Sequence, residues 1–135
     1  MVNRAKFVQV APVLPARDIT ALKDFYVDKL RFSLAFIDPS TEQTDPRYVG
    51  VRRDGVELHL QWHDASDWDN GMDRPLLRLI VDDPDALFAE YAPQGVFHDR
   101  TALRNTQWGT REFAFYDPDG NGLIFFRDLQ PGERI

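Results

Sequence analysis

At 135 residues, with 43% hydrophobic and 28% charged residues, the chain can bury a core of its own, either as one ordinary domain or as two small modules sharing that core. A net charge of −6 repels phosphate backbones and argues against a nucleic-acid partner, while any cationic small ligand is drawn toward the surface. The absence of cysteine excludes disulfides, thiol nucleophiles and thiolate metal sites, and no apolar run approaches the roughly 20 residues of a membrane span.

The opening segment from Met1 to Phe7 lacks the apolar core of a secretory signal, so a cytoplasmic protein is expected. Phe7 to Leu14 reads as a strand. Asp18 then caps a helix whose stripe is Ile19, Leu22, Tyr26 and Leu30. Strands follow near Phe32 to Ile37, Tyr48 to Arg52 and Val56 to Trp62. Asp64 to Arg74 is a polar, turn-rich connector. Beyond it come a strand at Leu76 to Val81, a helix capped by Asp83 with Pro84 at its first position, and strands near Phe97 to Thr101, Glu112 to Tyr116 and Leu123 to Arg127. The last two flank the turn formers Asp117-Pro118-Asp119-Gly120-Asn121 and form a hairpin.

This order is β-α-β-β-β, twice. "DITALKDFY" (Asp18 to Tyr26) and "DPDALFAEY" (Asp83 to Tyr91) lie 65 residues apart, and the same offset carries Asp54-Gly55 onto Asp119-Gly120. The fold class is therefore α+β: two tandem modules, about 5–63 and about 75–128, within a single domain spanning 1–135.

Two such modules, "APVLPARDI" leading into "FYVDKLRF" and the closing "WGTREFAFYDPDGNGLIFFR" together resemble the glyoxalase, bleomycin-resistance and extradiol-dioxygenase superfamily, also called vicinal oxygen chelate proteins. The bleomycin-resistance members are the nearest likeness. One departure is Leu30-Arg31-Phe32, where Arg31 replaces the glycine that ends a helix in left-handed geometry, so that cap is expected to be strained or rearranged. The resemblance implies a cup-shaped curved sheet and a homodimer whose clefts are completed by the second chain, the N-terminal strand reaching across near Pro12 and Pro15.

In metal-dependent members the ligands come from the first and last strands of each module, which the resemblance places at Ala11, His59, Leu76 and Ile124. Only His59 is a donor, and a divalent ion needs three or four. A two-residue shift offers Gln9, Glu57 and His59 as an alternative trio. No metal or cofactor is expected, and the function read here is non-catalytic: sequestering a flat, cationic small molecule such as a bleomycin-type antibiotic. The competing reading is a metal-dependent lyase, isomerase, thiol transferase or dioxygenase of the same superfamily.

For the binding function the expected residues are Phe36, Asp38, Tyr48, Glu57, His59, Gln61, Trp62, Trp108 and Gly109. In bleomycin-resistance relatives the tryptophan of the "WG" pair stacks on the drug's flat bithiazole, which the resemblance carries to Trp108, with Gly109 allowing close approach of the ligand. Its structural alternative is a loop anchor. Phe36 either stacks on a ligand or packs with Phe32 and Leu34. Asp38 either meets a cationic tail or starts a turn before Pro39. Tyr48, Glu57, His59 and Gln61 make a polar wall, the last three alternating with Val56, Leu58, Leu60 and Trp62.

Overall fold

The computed structural model describes residues 3–39 and 45–135; Met1 and Val2, the start of the opening segment read for a secretory signal, and residues 40–44 of module one lie outside the described residues. Module one comprises β1 (Val13–Ala16), α1 (Ile19–Asp24, continued by a wider π turn at Phe25–Lys29), β2 (Ser33–Asp38), β3 (Tyr48–Arg53) and β4 (Val56–Trp62). A short helix α2 (Ala65–Asp69) forms in the connector, where Asp64 accepts from the Asp67 N–H at 3.0 Å. Module two comprises β5 (Leu76–Ile80), α3 (Pro84–Tyr91), β6 (Arg104–Asn105), β7 (Thr110–Tyr116) and β8 (Gly122–Asp128).

The sheets run β1-β4-β3-β2 and β5-β8-β7-β6. Both begin with a parallel pair, and the registers coincide at the repeat offset: Val13 lies beside His59, and Arg78 beside Ile124. Both helices start alike, Asp18 accepting from the Ala21 N–H and Asp83 from the Ala86 N–H, each at 3.0 Å. The expected stripe of Ile19, Leu22, Tyr26 and Leu30 is buried.

Two expected strands differ. Residues 3–12 form no ladder and leave Phe7, Val8 and Val10 exposed, because the apolar pattern that favours a strand finds no partner edge among the described residues. Phe97 to Thr101 is a loop: Phe97 points apolar surface into the core while Thr101 N–H turns back onto His98 O, and the strand pairing with β7 is the short Arg104–Asn105. Arg31 keeps the left-handed backbone (φ 64°) expected of a glycine, a geometry that Gly95 supplies after α3 (φ 73°).

The helix-side faces of the two sheets share one core, in which Leu14, Val49, Val51, Leu58 and Leu60 join Phe113, Phe115, Leu123 and Phe125. Polar ties cross the same junction. The hairpin carboxylate Asp117 accepts from the Tyr26 hydroxyl at 2.8 Å and from Asn121, whose amide also donates to Pro15 O. Tyr91 donates to Leu30 O at 2.8 Å, and Arg53 grips Glu90 with both terminal nitrogens. Burial pushes the carboxyl of Asp117 above its ordinary range and the phenol of Tyr91 up to about 12. The hairpin of Asp117 to Asn121 is thus a bracket between modules.

Candidate functional site

With the helix sides packed together, the opposite faces of the two sheets are left open. In module one, alternation along β4 sends Leu58 and Leu60 inward and turns Glu57, His59 and Gln61 to the open face. A register shift between Leu34 and Phe36 breaks the expected alternation of Phe32, Leu34 and Phe36: Leu34 pairs with the buried Val51, whereas Phe36 pairs with Gly50. The bulge therefore re-aims Phe36 onto the open face. Gly50 is required beneath it, since a Cβ there would sit 2.2 Å from the Phe36 ring.

Phe36, Tyr48 and His59 form one aromatic cluster, with centroid separations of 5.2–6.0 Å. A hydrogen-bond chain locks it. The Tyr48 hydroxyl lies 2.9 Å from His59 Nδ1, His59 Nε2 lies 2.8 Å from Glu57 Oε2, and Arg52 Nε donates to Glu57 Oε1. A neutral imidazole protonated on Nε2 satisfies both contacts, with the tautomer assigned from its partners. The bond from His59, followed by that from Arg52, holds the Glu57 carboxyl below the usual range.

In module two the open face carries Arg78 and Ile80 on β5, Ile124 and Phe126 on β8, and Glu112, Ala114 and Tyr116 on β7. Glu112 is buried beneath Trp108: the indole Nε1 donates to Glu112 Oε1 at 3.0 Å, and Thr110 Oγ1 donates to the same oxygen at 2.6 Å. Arg78 lies 3.7 Å from that carboxylate and over the Phe126 ring. Tethered at its N–H, Trp108 remains 61% exposed, which leaves ring surface available for stacking. Gly109 follows it with φ 91°, a left-handed backbone that lets the chain turn into β7.

Of the nine expected residues, Phe36, Tyr48, Glu57, His59 and Gln61 share the open face of module one, and Asp38 ends β2 beside Tyr48. Trp108 and Gly109 belong to module two. Trp62 stands apart: alternation places it with Leu58 and Leu60, packed against the core with Arg47 over its ring. The buried Glu112 and its neighbours Arg78 and Thr110 were not among the expected residues. The alternation of "TREFAFY" does place Thr110, Glu112, Ala114 and Tyr116 on one face, but not which face.

The donor set does not fit a divalent ion. Ala11 precedes β1, Val13 occupies the strand position beside His59, and the matching pair in module two is Arg78 beside Ile124. Gln9 lies exposed in the N-terminal segment, and both His59 nitrogens are engaged by Tyr48 and Glu57. Among the described residues no group of three or more His, Asp or Glu side chains could hold a metal.

Two repeated modules with open, aromatic-lined sheet faces define a small-molecule-binding scaffold of the vicinal oxygen chelate type. The chain belongs to the Glyoxalase/Bleomycin resistance protein/Dioxygenase superfamily, whose family model matches residues 6–125. Bleomycin resistance proteins of Geobacillus stearothermophilus and Staphylococcus aureus are each 30% identical to it, the alignments covering 91% of this chain and 98% of theirs. Among solved structures, the bleomycin-binding protein of bleomycin-producing Streptomyces verticillus, complexed with copper(II)-bleomycin, is 32% identical, with a TM-score of 0.70 over 90% of this chain and 97% of that one. TnmS3, an antibiotic binding protein from Streptomyces sp. CB03234, is 30% identical, with a TM-score of 0.69 over 93% and 100%.

Proposed function

We propose that this protein binds and sequesters a flat, cationic antibiotic of the bleomycin type without transforming it. The observation that carries the reading is Trp108, its indole N–H fixed by the buried Glu112 while its ring face stays in solvent. Packing alone gives no reason to leave so large an apolar ring uncovered. The names of the relatives supply the ligand class. Asp38, at the edge of module one's open face, provides a carboxylate for a cationic tail. We assign no catalytic residue, cofactor or metal, and expect no nucleic-acid partner.

The working form is proposed to be a cytoplasmic homodimer. Among the described residues no helix is long and apolar enough to cross a membrane. Phe7, Val8, Val10, Val13 and Ile80 expose apolar surface on the N-terminal arm and the open faces, surface that a second copy would cover. Pro12, just before β1, suits a crossing segment because it donates no ladder hydrogen bond.

Fluorescence and calorimetric titration with bleomycin tests the reading. The wild type is expected to bind, and Trp108→Ala to weaken binding by about 1–3 kcal/mol, as truncation of an aromatic anchor does. Saturating bleomycin that yields neither heat nor a fluorescence change overturns the antibiotic assignment.

A further inference from the structure

Beside Trp108, the open face of module two deepens into a groove of about 430 Å³, within the range of roughly 300–1,000 Å³ typical of small-molecule pockets. Leu76, Tyr116 and Ile124 give it an apolar wall, and Arg100, Arg104 and Glu112 supply its charges. These charges do not cancel. Glu112 turns its carboxylate to Trp108 and Thr110 and is matched by Arg78. His98 adds no cation, because its Nε2 accepts from the Tyr116 N–H at 2.9 Å and so carries no proton there. Among the described residues neither Arg100 nor Arg104 has an ion-pair partner, and the guanidinium of Arg104 lies 5.7 Å from the centroid of the Trp108 ring. On a chain of net charge −6, two unmatched arginines therefore converge on one apolar groove.

From this arrangement we infer that the groove is a subsite for the anionic edge of a planar aromatic ligand, with Arg100 and Arg104 as its specificity-determining residues. The inference rests on the binding function proposed above and refines its ligand, which has an acidic group at this end and a cation only at the Asp38 end. A guanidinium presents a flat fork of N–H donors that matches the paired oxygens of a carboxylate or sulfonate carried on an aromatic ring. The ring system rests against Tyr116 and Ile124, and the charged edge reaches the arginines. A ligand cationic at this end would meet repulsion from both.

A matched pair of probes tests the subsite: anthraquinone sulfonate and the uncharged hydroxymethylanthraquinone, titrated calorimetrically into the full chain. The sulfonate is expected to bind about tenfold tighter, the scale of one charge-assisted hydrogen bond, with the advantage shrinking as salt rises. In the double variant Arg100→Gln, Arg104→Gln the two probes should bind within about twofold of each other. Both side chains are exposed, so the fold should survive, and circular dichroism checks this. Equal affinities in the wild type, no binding of the sulfonate, or a preference that persists in the double variant overturns the inference. Bleomycin titrated alongside separates the two proposals. Bleomycin binding without sulfonate preference overturns the subsite alone, whereas sulfonate preference without bleomycin binding upholds the subsite and overturns the antibiotic assignment.

Discussion

The open faces of the two modules occupy equivalent places on one repeated scaffold, yet they are chemically opposed. Module one sets Pro15, Gln61, Tyr48 and Asp38 side by side across its four strands; module two sets Ile80, Phe126, Glu112 and Arg104 at the matching positions. One face is a closed ring of aromatic and hydrogen-bonded groups ending in carboxylates. The other has its carboxylate buried and its arginines outside. Duplication of a fold thus need not duplicate a site: the shared cap, strand register and core keep the scaffold, while the outward positions diverge because they bear little of the packing energy. A cleft made from one face of each kind is bipolar, which suits a ligand carrying different charges at its two ends.

The cores differ too, and the largest effects are expected there. Val49 and Phe113 hold matching positions, each paired with an inward residue of the last strand, Leu60 and Phe125 respectively. Phe113 is almost wholly buried and meets the rings of Phe88, Phe97 and Phe125 at 5.1–5.9 Å. Phe113→Ala is expected to cost about 3–5 kcal/mol in chemical denaturation, and Val49→Ala about 1–3 kcal/mol, because less volume is vacated. Equal losses would mean that the modules share the core load evenly.

Next in size is the bracket between modules. Asp117→Ala leaves the Tyr26 hydroxyl and the Asn121 amide without their buried acceptor and should destabilise by about 2–4 kcal/mol. The pH dependence follows from burial, which raises the folded carboxyl above its ordinary value of 3.8. Between those two values the folded state holds the extra proton, so this group's contribution is full below the unfolded value and falls as pH rises through the folded one. The advantage of wild type over Asp117→Asn should accordingly shrink as pH rises above the ordinary carboxyl value of 3.8. An advantage that grows with pH above that value would show that the hydrogen bonds outweigh desolvation and lower the carboxyl instead.

Much of this scaffold was legible in the amino-acid order, because its causes are local or periodic. The offset of 65 residues, both aspartate caps and the inward stripe of α1 each follow from a repeat, a cap residue or an alternation. What could not be read depends on partners distant in sequence. Phe7 to Leu14 has the composition of a strand, but residues 3–12 find no edge to pair with; Phe97 buries its ring from a loop. The site was divided in the same way. Phe36, Tyr48, Glu57 and His59 converge, but the bulge that turns Phe36 outward has no sequence signature, and Trp62 obeys the alternation and faces the core. Glu112 lies within the closing stretch that begins at Trp108, yet only the fold shows it beneath that ring.

Glycines on the open faces offer a finer contrast between modules. A Cβ at Gly50 would lie 2.2 Å from the Phe36 ring, and one at Gly122 would lie 2.4 Å from Leu76 Cδ1. The distances are similar, but the neighbours are not. Phe36 is held within its cluster with Tyr48 and His59, whereas Leu76 is 63% exposed and free to swing away. Gly50→Ala should therefore cost about 1–3 kcal/mol and displace the aromatic cluster, while Gly122→Ala should cost under about 1 kcal/mol. Ring-current shifts at His59 in an NMR spectrum would report the displacement. A loss under about 1 kcal/mol in Gly50→Ala would show that module one's face is as yielding as module two's.

The smallest contrast is the one on which the repeat makes its sharpest statement. Asp18 and Asp83 cap equivalent helices at equal hydrogen-bond lengths, and both are exposed, so local cap energetics should dominate each. Asp18→Ala and Asp83→Ala should each lower stability by about 1 kcal/mol. The two losses should agree within about 0.5 kcal/mol, and the double variant should show their sum, since separate sites without shared partners add. Two features work against equality. Pro84 pre-organises the first turn of α3, making its cap less critical, and Asp119 accepts from the Arg17 N–H just ahead of Asp18, tying that cap to the inter-module bracket. A larger loss at Asp18 than at Asp83, with a double-variant loss differing from the sum, would show that the first cap is coupled to the junction, and that the modules are equivalent in backbone register but not in how each helix start is held.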